Sequence, residues 1–271
     1  GPMKTAGQYA AYHGGSLSAT LAGMPHVWAP YLKLLVLLWP LCADYTGYFP
    51  FGHAPVAAVL PAALAVLAFV AAIVTAARRG QAGIAFGLAW FALTLGPVSN
   101  FIPVPIPAAE RFLTLPLVGV ALAVAAAAAA LSERSSPARW RILRAAGLAV
   151  LVAFAVAVNL RHAAWHDDAT LWKDTVAVNP RACGAQSAVG GILLSQAMET
   201  RSTETLRDAA AHQQLALSQC PDGNDTARAA MIYTRLGAAE AMLSHLPAAR
   251  AALEHALALQ PRYALAVVWL G

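Results

Sequence analysis

Apolar residues fill the first part of the chain in long unbroken runs and then give way to helical alternation. The runs cover about 16–41, 54–77, 82–98, 112–131 and 145–160. At ~1.5 Å rise per residue, runs of this order match the ~30 Å apolar core of a bilayer. The pattern predicts about five membrane spans. Pro25 and Pro30 fall inside the first, so it is expected either to kink or to split into an interfacial helix and a short buried one. The segment SERSSPARWRILR at 132–144 reads as a basic connector between the last two spans.

Between the third and fourth runs lies VSNFIPVPIPAAERFLTLPLVG, residues 98–119, with Pro103, Pro105, Pro107 and Pro116 and the adjacent pair Glu110–Arg111. Proline fixes φ and has no N–H, so a regular helix or a central strand is excluded here. An acid, a base and irregular backbone are costly in lipid, which makes this a surface or cavity-lining loop and the first place to look for chemistry. A second loop, 43–55, is rich in Tyr, Gly and Pro, as suits a membrane interface, and Asp44 is its one charged residue. Lys33 lies within the first apolar run. It reads either as a snorkelling lysine or as a cation aimed at a lipid phosphate.

After Arg161 the spacing changes. Tyr233, Leu236 and Gly237 are followed by Ala249, Leu253, Ala256 and Pro261. With Gly237 as position 8 of a roughly 34-residue unit, these fall in the tetratricopeptide register, where small residues let two antiparallel helices approach closely. Gly190 takes position 8 of an earlier unit that ends with Ala209, Ala216 and Pro221, with about seven residues inserted between its helices. Leu171, Trp172 and Pro180 read as the second helix of a partial unit. The register places Leu270 and Gly271 in mid-helix, so the array is expected to be truncated there or covered by a partner.

The expected fold is therefore all-α: a polytopic membrane domain over 1–162 and a tetratricopeptide-repeat α-solenoid over 163–271. Composition supports the division. The chain is 59% apolar and 11% charged, against about a quarter charged in ordinary soluble domains. Residues 1–162 carry ten Lys/Arg against three Asp/Glu, whereas 163–271 carry eight against ten. The positive charge thus belongs to membrane loops, and no nucleic-acid partner is inferred from it. Arginines in the short turns 78–81 and 132–144 place those turns in the cytoplasm. Loops 43–55 and 98–111 and everything after 161 then face outward, with the repeats in the periplasm of a bacterial inner membrane. Gly1-Pro2-Met3 resembles a protease scar ahead of a start methionine, and no signal peptide follows it.

Cys42 reads as a small packing residue. Cys183 opens the first helix of one repeat and Cys220 closes its second, so the two are neighbours and either form a disulfide or remain free thiols. His162 and His166, beside Asp167 and Asp168, lack a third separated ligand and read as a polar collar rather than a metal site. Walker, dinucleotide-binding, GxSxG and zinc motifs are not found in the sequence.

The segments YLKLLVLLWPLCADYTG (31–47) and GPVSNFIPVPIPAAERFLTLPLVG (96–119), then a last span, Trp165, Leu171-Trp172 and helical repeats, occur in one order. This order resembles the transmembrane and tetratricopeptide-repeat-containing proteins and their bacterial relatives, which look like GT-C glycosyltransferases. The resemblance implies a polyprenyl-phosphate-linked sugar as donor and an acceptor or partner polypeptide held by the repeats. It carries Glu110 and Arg111 over as groups that bind lipid phosphate or sugar, with Ser99, Asn100 and Asp44 beside them. Members of that family are longer at the N-terminus, and their proposed catalytic acid has no counterpart here. The resemblance thus implies the C-terminal part of such an enzyme, inactive on its own. The alternative is a non-catalytic, membrane-anchored repeat scaffold or accessory subunit of a larger membrane complex.

Overall fold

The computed structural model describes residues 15–37, 41–47, 56–101, 104, 106, 108–220 and 225–271. The start-site reading at residues 1–14, most of the loop 43–55, the prolines at 103, 105 and 107, and Pro221 lie outside the described residues. Eleven α-helices and three short 3-10 turns are present among the described residues, with no strand. The chain divides into two compact units, one of Gly1–Leu41 and Phe49–Ala163, the other of Cys42–Tyr48 and Ala164–Gly271.

The first unit holds α1 (Leu17–Leu34), α2 (Val56–Arg78), α3 (Ala82–Leu95), α4 (Pro116–Arg134) and α5 (Pro137–His162). Among the described residues, three stretches are long and apolar enough to cross a membrane: Val59–Arg78, Pro116–Arg134 and Pro137–Trp165. The apolar runs predict about five spans. α3 has 14 residues, about 21 Å at the helical rise, which is short of the bilayer core. α1 stops at Leu34 after 18 residues and runs through Pro25 and Pro30 as one helix. Ser16 caps its start, its hydroxyl accepting from the Ala19 N–H at 3.2 Å. The basic connector at 132–144 is corrected. Only a brief break separates α4 from α5, because Ser136 caps α5 and Pro137 occupies its first turn, where a missing N–H costs nothing. Arg139, Arg141 and Arg144 are thereby helical.

α3 and α4 lie antiparallel and touch backbone to backbone. A Cβ on either Gly87 or Gly119 would collide with the other's carbonyl oxygen, and one on Gly83 would meet Ala126 Cβ at 2.8 Å. The rows Gly83/Gly87 and Gly119/Ala123 are four-residue repeats of small residues, the spacing that lets membrane helices pack closely. Trp90 closes the same seam by donating its indole N–H to the Leu115 carbonyl at 3.2 Å.

The second unit holds α6 (Asp168–Val178), α7 (Cys183–Thr200), α8 (Thr203–Gln219), α9 (Thr226–Met242), α10 (Leu246–Leu259) and α11 (Ala264–Leu270). α7 pairs with α8, α9 with α10, and α8 packs on α9. Both pairs are antiparallel. Gly190 faces Ala209 and Gln213, while Gly237 faces Ala249 and Leu253. The seven residues expected as an insertion between α7 and α8 instead lengthen the helices. The turn is short, and Arg201 makes it with a left-handed φ of 55°. The core is built mostly of alanine with a few leucines, including Leu194, Leu206 and Leu253.

A short segment from early in the sequence is built into this unit. The Asn179 amide donates to the carbonyls of Asp44 at 3.0 Å and Thr46 at 3.1 Å. Thr175 Oγ1 accepts from the Ala43 N–H at 3.3 Å. Gly47, at φ 71°, sits so close to the Arg181 carbonyl that a Cβ there would lie 2.8 Å from it. Residues 42–47 are thus fixed by polar contacts that apolar periodicity does not encode.

Candidate functional site

In the first unit the proline-rich loop is held from α1. Met24, Trp28 and Tyr31 lie at helical spacing on one face of that helix, and each reaches the loop. Trp28 donates its indole N–H to Ser99 Oγ at 2.8 Å, and Ser99 donates its own hydroxyl to the Leu95 carbonyl at 2.8 Å. The Asn100 amide contacts Met24 Sδ at 3.7 Å. The Tyr31 hydroxyl accepts from the Ala109 N–H at 2.9 Å and donates to the Ala109 carbonyl at 3.2 Å. Asn100 takes a left-handed φ of 56°, a conformation that asparagine tolerates better than most residues.

Glu110–Leu113 forms a 3-10 turn between Ala109 and the start of α4. Glu110 is half-buried and engaged with neighbouring groups. Arg111 is exposed, its guanidinium 5.5 Å from the centroid of the Phe112 ring. No ion pair among the described residues uses it. The Arg111 backbone carbonyl accepts from the Thr114 hydroxyl at 2.9 Å. The Glu110 and Arg111 charges both act on the Tyr31 hydroxyl.

The residues singled out in the sequence therefore separate into three groups. Ser99 and Asn100 are buried and spend their polar atoms on the fold; neither presents a free group to a ligand. Glu110 and Arg111 sit together on the turn, and only the arginine head is open to solvent. Lys33 is exposed in the last turn of α1. Asp44 belongs to the other unit, where its carboxylate caps a tight turn by accepting from the Thr46 N–H at 2.8 Å and from the Thr46 hydroxyl.

Sequence reasoning missed Trp28 and Tyr31 as the supports of this loop. Their spacing with Met24 was the available signal, masked because aromatic residues inside an apolar run read as ordinary span residues.

In the second unit Cys183 and Cys220 are joined by a disulfide, with Cα atoms 5.9 Å apart. Cys42 is a buried thiol that donates to the Asp44 carbonyl at 3.3 Å. In the His162–Asp168 segment, Asp167 is the N-cap of α6, accepting from the Thr170 N–H at 2.7 Å and pairing with His166 at 3.1 Å. These bonds hold its carboxyl down at about 2. No group of three metal-ligating side chains occurs among the described residues.

The molecule thus offers one braced loop with an exposed cation, and one array of helical pairs. No protein-family model matches this sequence, and no curated protein is similar enough to it to count as a relative.

Proposed function

We propose that this chain is a membrane-anchored tetratricopeptide-repeat module that holds a polypeptide partner outside a bacterial inner membrane. The observation that carries the repeat reading is an equivalence of contacts. Gly237 meets Ala249 and Leu253, 12 and 16 positions ahead, and Gly190 meets Ala209 and Gln213, each seven positions further on. One close-packing rule therefore recurs in two hairpins of unequal length, as expected of a tetratricopeptide unit with a lengthened helix pair. Exposed first helices in such arrays form a surface suited to extended polypeptide. Sidedness rests on the arginines at 78–79 and at 134, 139, 141 and 144, which cluster at one end of α2, α4 and α5. The other ends, with Glu110–Arg111 and the second unit, then face out.

The test is thiol labelling of a Thr114→Cys variant in intact cells with a membrane-impermeant maleimide. Labelling from outside is expected. Labelling only after lysis overturns the orientation.

A second reading is supported by the exposed Arg111 on a loop braced beside the Tyr31 hydroxyl. In it the chain is part of a GT-C-like glycosyltransferase. Arg111 binds the phosphate of a polyprenyl-phosphate sugar, and Glu110 orients that arginine or binds a sugar hydroxyl. Sugar transfer from such a donor is the assay. Unchanged transfer by Arg111→Ala removes the role assigned to it.

A further inference from the structure

The start of α5 gathers positive charge where the backbone disfavours it. Arg139 and Arg141 fall within its first two turns and Arg144 follows just beyond. A helix N-terminus is the positive end of the macrodipole, so cations are least welcome there. The first turn of α5 holds no acid to offset them. Arg134 closes α4 immediately before it. Arg141 and Arg144, three positions apart, are neighbours on one helix surface, and like charges so placed repel.

All four arginines are exposed. Among the described residues, no ion pair includes any of them. Glu133 is the one acid between 132 and 144, and it too forms no ion pair among the described residues. Beside this charge an open depression in the α5 surface is lined by Ala138, Arg141, Ile142 and Ala145. The short alanine side chains leave room there, while Arg141 supplies a cation and Ile142 an apolar wall. Further along the helix Leu148, Leu151 and Val152 are exposed, and α5 buries no residue. Trp140 stands among the arginines, an aromatic of the kind that settles at headgroup level.

We infer that Arg141 and Arg144, with Arg134 and Arg139 beside them, bind the phosphate of one anionic phospholipid whose acyl chain lies in this depression and along α5. A guanidinium fork matches two phosphate oxygens, and an anion at this place relieves both the macrodipole and the repulsion between the arginines. A zwitterionic lipid offers the same phosphate but brings a cation into a field that is already positive. A soluble anion would meet the arginines and leave the Ile142 wall wet. On the sidedness proposed above, the lipid belongs to the cytoplasmic leaflet, whose anionic lipids attract basic segments at helix ends. The inference goes beyond the partner-holding role and uses none of the repeats.

The experiment is native mass spectrometry of the full chain released from detergent micelles doped with phosphatidylglycerol or with phosphatidylcholine of identical acyl chains. It reads the fraction of protein carrying one lipid. Phosphatidylglycerol is expected to bind about tenfold tighter or more. Arg141→Gln/Arg144→Gln should bring it down to the level of phosphatidylcholine. Arg78→Gln/Arg79→Gln, which removes charge from another turn of the same unit, should leave it unchanged. Glycerol phosphate, which has the headgroup chemistry without the chains, should not displace the lipid. Equal binding of the two lipids to the unaltered chain overturns the site. Equal loss in the two double variants overturns it in favour of diffuse attraction, and displacement by glycerol phosphate overturns it in favour of a soluble anion. The comparison between lipids needs no variant, so a destabilised Arg141→Gln/Arg144→Gln does not blunt it.

Discussion

The two units treat a leucine in opposite ways. In the first, leucines and valines of α2, α4 and α5 point outward, and α5 has no buried residue at all. In the second, the helices bury alanine and a few leucines between pairs and show charge to the outside. Both use the same backbone and the same taste for small residues at the seam: Gly87 against Gly119 in one, Gly237 against Leu253 in the other. What differs is the surrounding solvent. Close approach of two helices is needed in lipid and in water alike, but only water drives the apolar side chains inward.

The comparison breaks first in the second unit's seams. Leu253 is 1% exposed and fills the space over Gly237. Leu253→Ala should cost about 2–5 kcal/mol through lost transfer energy and the cavity left behind. Thermal unfolding followed by circular dichroism measures it, and an unchanged midpoint would mean that the α9–α10 seam is not packed as described. The disulfide ranks second. It closes a loop with a sequence separation of 37, for which about 2–4 kcal/mol is typical. A Cys183→Ser/Cys220→Ser pair should lower the melting point of the second unit, and a reductant should do the same to the unaltered chain while leaving the double variant where it was.

Two equally exposed leucines sharpen the contrast. Leu148 on α5 is 63% exposed and Leu246 on α10 is 67% exposed. If α5 lies in lipid, Leu148→Asp should oppose insertion by roughly 3 kcal/mol at the centre of a span. Leu246→Asp opens a helix facing water and should be neutral or mildly stabilising, since acids suit a helix N-terminus. Fractionation between membrane and soluble pools reads both. Similar behaviour of the two variants would remove the distinction on which the membrane reading stands.

Helices, their apolar character and the change of regime near residue 162 were legible because periodicity and run length carry them directly. Span number was less so, since an apolar run does not reveal where its helix stops: α3 ends at Leu95, where Gly96 and Pro97 turn the chain. The segment 132–144 differs from its expected form because its charge suggests a loop, whereas Ser136 and Pro137 together start a helix. Long-range polar contacts were least legible. Asn179 reaching Asp44 and Thr46, or Trp28 reaching Ser99, joins positions far apart in sequence, and no local pattern encodes such a meeting.

The smallest expected effect is a dependence on pH confined to the second unit. Gln186 donates its amide to the Pro180 carbonyl at 2.8 Å, which leaves its Oε1 to accept from His212 Nδ1 at 2.6 Å. That sets the neutral tautomer of His212 with its proton on Nδ1. Burial between α7 and α8 lowers the His212 pKa, opposed in part by the Asp208 charge. The folded value therefore lies below the unfolded one of about 6.5, and the unfolded chain binds the proton more readily. Stability is full above that pH and falls as the pH drops through the window beneath it. His212→Gln can keep a hydrogen bond to Gln186 without titrating. Its melting point should therefore lose the part of the decline just below about pH 6.5 that the unaltered chain shows, while the acid limb below about pH 4, where carboxylates such as Asp167 take up protons, stays in place. An identical pH profile in the two proteins would show that His212 titrates as freely in the folded hairpin as in the open chain, and that the α7–α8 seam is wetter there than its packing indicates.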